Sequence, residues 1–490
     1  MNQRELKELL NSNARWITTC NKENIKDYIK ERDVKVIKKN RWRQVLKAGD
    51  LYLKLFKLKR LQRAFNLDPA KKEFDISLIL HKRKRSAEPL AYAVKDSISL
   101  FVSREIKGKS LESLLKENWD TLPIYKKRVF FCKFISFLID LKELGMFQPD
   151  FHLNNIFWDE ELEEFKLIDL HRANLIASPL SDLEFLEQLR YLLPPFMKYL
   201  SYWDILRFTQ LLSKEIAHLR KRSCRLFLIE LSYKDMRRQY LKKIPKKIER
   251  CFNKTNKKSL KLFKTTYASE DIINYVLERF FLKNDIKNNS LKILKDSRHT
   301  FCVKFTLKDS PFFLKAYRSS SYLKGVTYFF RQPRAIKVWY ASFNLIYRDI
   351  NTPQPLFLIQ GRNPWKNFYG VLAYEWVYEL ENKETVLKKI LLNEKEQAFF
   401  LKKLALFIWN MHMKGVFHGD CKITNFYFDQ YGNIGIFDLD ALKFKKDFSK
   451  MLAQRDIKRM ARSLDNFLPS MELGKKFISN YQFLKPDLEI

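Results

Sequence analysis

Glycine is scarce in this chain, eleven in 490 residues, and nowhere do they gather into the glycine-rich loop whose backbone N–H groups cradle a phosphate. Its six cysteines (Cys20, Cys132, Cys224, Cys251, Cys302 and Cys421) are scattered without a CxxC pair. That pattern fits a reducing compartment and argues against a structural metal such as zinc. No apolar run approaches the roughly eighteen residues that span a bilayer. The segment from Met1 to Asn40 is charged throughout and lacks the apolar stretch of a secretory signal. These absences together predict a cytoplasmic protein. Acidic residues are also few, 56 against 93 Lys and Arg, for a net charge of +37.

What is present is a globular chain, 46% hydrophobic and 15% aromatic, long enough for roughly two to four domains with their own cores. The charge has two readings. One is attraction to an anionic partner: nucleic acid, an acidic membrane face or a phosphorylated glycan. The other is compositional, since Lys, Asn, Ile and Phe are abundant, as in A/T-rich genomes. Composition explains local clustering less well. Between Leu241 and Lys264 there are ten Lys or Arg and one acid, Glu249. Such a lopsided patch suits a polyanion or bilayer surface, or else a solvated helix face.

The informative stretch is GMFQPDFHLNNIFWDEELEEFKLIDLHRANL, from Gly145 to Leu175. An apolar helical run ends at Gly145, Asp150 follows, then Asn155, then two short apolar strands lead to Asp169. Carboxylate, amide, hairpin and carboxylate in that order are what phosphoryl transfer needs: one carboxylate orients the acceptor hydroxyl, while the amide and the second carboxylate hold Mg²⁺ against the phosphates. The order returns in GVFHGDCKITNFYFDQYGNIGIFDLDALKF, with Gly415, Asp420, Asn425 and Asp438. A lone D-x-x-x-x-N occurs by chance. Two copies in the same context predict an α+β chain with two protein-kinase-like bilobal domains in tandem, each an antiparallel-sheet small lobe on a mainly helical large lobe.

Upstream elements fit that plan. Residues 1–40 read as helix then basic strand, and Arg43–Leu46 and Leu51–Phe56 as strands around Ala48-Gly49-Asp50. Lys54 alternates with Leu53 and Leu55, so it points away from them; alone it would be an edge-strand lysine. Asp68-Pro69 opens a helix on which Glu73 can pair with Lys54 or simply meet solvent. Strands Leu90–Val94 and Ser99–Arg104 lead to a hinge at Glu105–Gly108. A Ser110-capped helix follows, then a buried one marked by Phe130, Phe134, Phe137 and Leu141. Helices Leu180–Leu193 and Tyr202–Ser213 close domain 1, residues 1–213. Residues 214–284 are expected to form a basic, helical connector. Domain 2, residues 285–490, repeats the plan: hairpin His299–Thr306 and Pro311–Tyr317 with Lys315, helix Arg334–Ile346, strand Val371–Trp376 and the buried helix before Gly415. The two carboxylates lie 270 positions apart (150 to 420) and the two lysines 261 (54 to 315), which indicates duplicated domains and not solenoid repeats.

The site assignments follow. In domain 1, Lys54 grips the phosphates, Glu73 fixes Lys54, Asp150 is the base, and Asn155 and Asp169 are metal ligands. In domain 2 the set is Lys315, Asp420, Asn425 and Asp438, with Lys422 neutralising the transferring phosphoryl group. Mg²⁺ takes oxygen ligands and needs few from protein. His152, His171 and His418 lack metal-ligand spacing; His418 is placed to brace the backbone before Asp420. Asp182 and Asp456, opening later helices, are expected to brace the catalytic loops.

With these residues assigned, the chain resembles the lipopolysaccharide kinase family. The resemblance rests on Ile168-Asp169-Leu170-His171-Arg172-Ala173 and the Asp182 helix leading to Arg207-Phe208. In the second half it rests on RAIKVWYASFNLI with NTPQPL and on His418-Gly419-Asp420. It implies a kinase-like fold, ATP and Mg²⁺ as cosubstrates, and a sugar hydroxyl, Kdo or heptose, on a lipid-linked acceptor at the inner membrane of a Gram-negative bacterium. Three departures stand out. The glycine-rich loop is missing, Gln148-Pro149 replaces the usual His-x before Asp150, and Val338 stands where the helix Glu belongs, leaving Lys315 without an evident partner. The alternatives are a kinase with a protein or small-molecule acceptor, or a non-catalytic scaffold in one or both domains. Nucleic-acid binding rests on charge only and is not expected, since no helix-turn-helix, RNP-type or zinc pattern accompanies it.

Overall fold

The computed structural model describes residues 3–488 except 12, 61, 63–66, 120, 150, 258–259, 283–290, 308–309, 319–331, 362–367, 379–382 and 429–432. Its described residues divide into two units, Met1–Ser232 and Tyr233–Ile490.

The first unit opens on a six-stranded antiparallel sheet in the spatial order Arg15–Thr18, Pro89–Lys95, Ile98–Arg104, Leu51–Lys57, Arg43–Ala48, Val34–Lys39. Strand alternation divides its two faces. Leu46, Leu53, Leu55, Leu100 and Val102 pack under helices Gln3–Asn11 and Lys22–Lys30 through Leu6, Leu9, Ile25 and Ile29. The opposite face carries Phe56, Tyr92 and Phe101 against Phe74 of helix Pro69–Lys82. Lys54 therefore points away from Leu53 and Leu55, as its spacing predicts, toward the Phe74 helix. The leading segment holds more than the expected helix and strand: a second helix and the strand Arg15–Thr18 lie within it. Asp68 caps the Pro69 helix, accepting from the Ala70 N–H at 2.8 Å. It also takes the Tyr92 and Ser99 hydroxyls at 2.6 and 2.7 Å, so the cap ties the helix to the sheet.

Below the sheet, helix Ile124–Glu143 buries Phe131, Phe134, Phe137, Leu138 and Leu141. Phe134 meets Phe165, Phe196 and Phe208 at centroid distances of 5.0, 5.5 and 6.1 Å, in offset and edge geometries that aromatic rings favour. The helix stops at Gly145, whose φ is +65°; a Cβ there would meet the carbonyl oxygens of Ile176 and Ser178 at 2.4 Å. Only glycine permits both that turn and that approach.

The second unit repeats this order with a seven-stranded antiparallel sheet: Phe252–Lys257, Leu260–Thr265, Pro355–Gly361, Phe368–Glu375, Ser310–Arg318, Thr300–Leu307, Leu291–Asp296. The expectation of a helical connector over 214–284 is corrected here. Helix Arg222–Ile248 leads out of the first unit, but strands Phe252–Lys257 and Leu260–Thr265 pair with each other and join the sheet through the pairing of Leu260–Lys264 with Gly361–Phe357. Ile272, Ile273, Val276, Phe280 and Phe281 then cover the sheet face made by Phe301, Val303, Leu314, Phe357, Ile359 and Val371. The physical reason is burial: that face would otherwise leave a row of aromatic and β-branched side chains in water. The 241–264 basic stretch thus spans a helix end and two strands. Helix Arg334–Ile346 matches its expected bounds, and the buried helix Glu394–Met413 ends before Gly415, φ +79°. The second turn expected at Lys308-Asp309-Ser310 has its first two residues outside the described set, as does the 285 start of domain 2.

Candidate active sites

In the second unit, Lys315 lies in the middle of its strand, opposite Cys302 on one side and Leu372 on the other. Its ammonium is buried and touches two carboxylates, Asp438 and Asp440, each at 2.7 Å. Asp440 also accepts from Arg334 Nε at 2.8 Å and from the Tyr317 hydroxyl at 3.2 Å. The partner that Val338 could not supply is therefore Asp440, two positions beyond Asp438, and the helix contributes Arg334 to the same group. Burial works against the Lys315 charge, yet Asp440 and Asp438 hold its pKa above the ordinary value. Burial likewise opposes the Asp438 charge, but Lys315 draws its pKa down to about 2.

The loop before it is held by its backbone. The N–H groups of His418 and Gly419 donate to the Asp456 carboxylate at 2.6 and 2.9 Å, confirming the bracing role expected of Asp456. Its pKa stays below the usual range despite burial, through His412 and these N–H groups. His418 is buried and its pKa is lowered by that burial, so the neutral ring serves as packing beside Phe426. Asn425 Nδ2 donates to the Asp420 carbonyl at 2.8 Å and to its carboxylate at 3.2 Å. Asp420 is flanked by Lys422, 3.2 Å away, and by Arg459. Asp438 itself sits in the left-handed region, φ 60°, an unfavourable place for a non-glycine residue and one kept at sites where the side chain must be aimed.

A cavity of about 660 Å³ joins these parts, lined by Lys315, Val338, Asn425, Asp438 and Asp440, with Phe313 from the Lys315 strand and Tyr374, Glu375 and Trp376 from the end of the neighbouring strand. An amide oxygen and a carboxylate in one cavity suit Mg²⁺, and an amine beside them suits a phosphate tail. Lys422 does not line this cavity; it lies in a smaller one of about 330 Å³ with Arg459, Arg462 and Ser463.

The first unit assembles a related but altered set. Lys54 pairs with Glu73 at 2.5 Å, the pairing expected from the sequence, and Glu73 also accepts the Leu170 N–H at 3.2 Å. Asp169 has φ 64°, matching Asp438. Its carboxylate is crowded by cations: Lys54 at 3.7 Å, His171 Nδ1 at 2.8 Å, and the guanidinium of Arg43. These overcome the effect of burial and hold its pKa well below the usual carboxylate range. Glu73, Asp169 and His171 are the one group of acidic and imidazole ligands among the described residues close enough for a metal, but Lys54 and Arg43 already supply its positive charge. Asn155 lies in the 3₁₀ turn Leu153–Asn155, and its carbonyl accepts from Ile168 N–H at 2.9 Å. Asp150 lies outside the described residues.

Two residues in this unit escaped the sequence reading. Arg43 follows the turn that occupies the place of a glycine-rich loop. Lys54 pairs with Val45 and Lys315 with Cys302, so the equivalent of Arg43 in the second unit is Thr300. Gln148 N–H donates at 2.9 Å to Gln188 Oε1, which replaces the Asp456 brace with a neutral one. Asp182 does not brace the loop, contrary to expectation: on the first turn of its helix it pairs with Lys142 at 3.4 Å and His218 at 3.1 Å.

Comparison with known proteins adds to this geometry. Residues 305–481 match the model of the Lipopolysaccharide kinase (Kdo/WaaP) family, a segment that contains Lys315, Asp420, Asn425, Asp438 and Asp440. Comparison with curated proteins gives no match. A kinase domain of known crystal structure is similar at 14% identity and a TM-score of 0.25, over 37% of this chain and 62% of that one. The family match thus falls on the segment that holds the second site.

Proposed function

We propose that the protein is an ATP-dependent phosphotransferase acting on a sugar hydroxyl, Kdo or heptose, of the lipopolysaccharide inner core at the cytoplasmic face of the inner membrane. The observation that carries this reading is the second unit's cavity, which gathers an amine, an amide and two carboxylates in a segment matching that family. Lys315, aimed by Asp438 and Asp440, holds the phosphates of ATP. Asp420, kept in place through Asn425, orients the acceptor hydroxyl and takes up its proton. Asn425 and Asp438 are the residues that would hold Mg²⁺, which when bound offsets charge on the phosphates. Lys422 and Arg459, beside Asp420, face incoming negative charge.

The basic surface supports a place at an anionic membrane. Lys242, Lys243, Lys246 and Lys247 end one helix, Arg250 follows it, and Lys254, Lys261 and Lys264 continue on the adjoining strands. Among the described residues no helix is long and apolar enough to cross a membrane. The tandem arrangement is part of the proposal, with Lys54, Glu73, Asp150, Asn155 and Asp169 as the first unit's counterpart set. A second reading, that this unit does not transfer phosphate, is favoured by Arg43 occupying Asp169.

The test is phosphate incorporation from radiolabelled ATP into lipid A–core acceptors, run beside protein and aminoglycoside acceptors. Asp420→Asn should lower incorporation about a hundredfold or more, and Asp150→Asn reports on the first unit separately. If neither substitution changes incorporation, these residues do not form the site.

A further inference from the structure

The first unit has a further, basic cavity beside Asp169. An open cavity of about 1200 Å³ lies between the turn at Asn40–Arg43, the end of the Lys54 strand and the start of the Pro69 helix. Arg41, Lys57, Lys59, Lys71 and Lys72 line it, with Arg172 across from them. The acids on its wall are already committed. Asp68 accepts four hydrogen bonds, from the Ala70 and Lys71 N–H groups and the Tyr92 and Ser99 hydroxyls, Asp75 pairs with Lys71 at 2.8 Å, and Asp169 is taken by Arg43, His171 and Lys54.

Among the described residues, Arg41, Lys57, Lys59 and Lys72 have no carboxylate in ion-pair range. Lys72 is the most telling. It is half-buried, its ammonium donates to the neutral Asn174 Oδ1 at 2.8 Å, and burial lowers its pKa with nothing charged to restore it. Arg41 and Lys59 lie against the indole of Trp42 at 5.0 and 4.9 Å from the ring. The ring thus orients two cations. Cations gathered at one concavity with their counter-charges turned elsewhere repel one another until an anion arrives. A single carboxylate would offset one of them; a phosphate monoester carries nearly two negative charges and three acceptor oxygens.

We propose that this cavity of the first unit binds a ligand bearing clustered phosphates, held by Lys57, Lys59, Lys72 and Arg41, without a divalent metal. The site is independent of the transfer reaction assigned to the second unit. The phosphates could come from a nucleotide tail or from a phosphorylated glycolipid headgroup, and the experiment separates the two.

The full-length Lys315→Met protein, in which the second unit has lost its phosphate-holding amine, is titrated calorimetrically with inorganic tripolyphosphate in EDTA. One saturable site per chain is expected. The Lys57→Gln/Lys72→Met pair should weaken it by roughly tenfold or more. The Lys35→Gln/Lys38→Gln pair, removing equal charge from an exposed strand outside the cavity, should change it by less than about twofold. Equal weakening by both pairs would mean that net charge alone is being read and would overturn the proposal, as would the lack of a saturable site. Circular dichroism melts check folding, and Lys59→Gln, at an exposed position, gives a second reading if the pair melts early. Displacement of the bound tripolyphosphate is then tried with ATP in EDTA and with phosphatidylcholine vesicles carrying bisphosphorylated lipid A. Displacement by either supports the site and identifies the source; displacement by neither overturns it.

Discussion

Replacing Asp440 by asparagine tests the second site at its least expected residue. The substitution leaves shape nearly unchanged but removes a carboxylate from Lys315, Arg334 and the Tyr317 hydroxyl together. Lys315 is only 7% exposed, so its lost partner is not replaced by water. Breaking a buried pair from one side costs about 3–5 kcal/mol. Asp438 remains at 2.7 Å and keeps part of the compensation, so a loss near the lower end, about 3 kcal/mol, is expected in urea unfolding. The remaining pair should also swing Lys315 toward Asp438, away from the phosphates, lowering kcat/KM for ATP about a hundredfold, or roughly 2.7 kcal/mol. Val338 lines the same cavity on the helix face, so adding Val338→Glu to Asp440→Asn should restore at least about tenfold of that loss by supplying the carboxylate from the helix. The assay is steady-state ADP release with ATP varied, alongside urea melts. An Asp440→Asn protein with unaltered ATP kinetics and unaltered stability would refute the assignment of Asp440 as the lysine's anchor.

Other outcomes follow from the same geometry. Arg43→Thr, which copies the residue at the equivalent place in the second unit, should add a second Mn²⁺ site per chain by electron paramagnetic resonance; an unchanged count would show that Arg43 is not what keeps metal from Asp169. Because His418 has a pKa lowered by burial, its unfolded form binds protons first, so its contribution to stability is present above 6.5 and is lost as pH falls below it. His418→Asn should flatten the fall of melting temperature just below that pH. Asp438, with a folded pKa of about 2 against 3.8, contributes above 3.8 and loses its contribution as pH drops toward 2, so Asp438→Asn should remove part of that lower limb. Gly415→Ala would place a Cβ 2.4 Å from the Lys445 carbonyl at φ +79°, and should cost about 2 kcal/mol or more in chemical denaturation.

Much of this was readable because local rules and function pulled the same way. The Lys54 alternation, the Asp68-Pro69 start and the Ser110 cap, which accepts from Ser113 N–H at 3.2 Å, each depend on neighbours a few residues off. The pairing of Lys54 with Glu73 followed from one strand and one helix in sequence. Asp440 was hidden because its partners Lys315 and Arg334 lie more than a hundred residues away. Arg43 was hidden similarly, as it reaches Asp169 across the unit. Residues 252–265 misled for another reason. Lysines and asparagines there erase the alternation of an edge strand, and the strand that receives them, Pro355–Gly361, comes some ninety residues later. Gln188 carries no charge to advertise its duty, whereas Asp182, six positions earlier, did and proved to serve elsewhere.

Strands Phe252–Lys257 and Leu260–Thr265 and the helical turns after them bear on how the molecule could be divided. Arg237, farther upstream, caps the carbonyls of Met413 and Lys446 at 2.6 and 3.0 Å, so the second unit reaches back nearly to Tyr233. A fragment starting at 285 would lose its roof and its outer rim at once, baring Val303, Phe357 and Ile359 and leaving Pro355–Gly361 with an open row of amides. Such a rim recruits other chains, so that fragment should self-associate, while one begun ahead of Tyr233 should stay single.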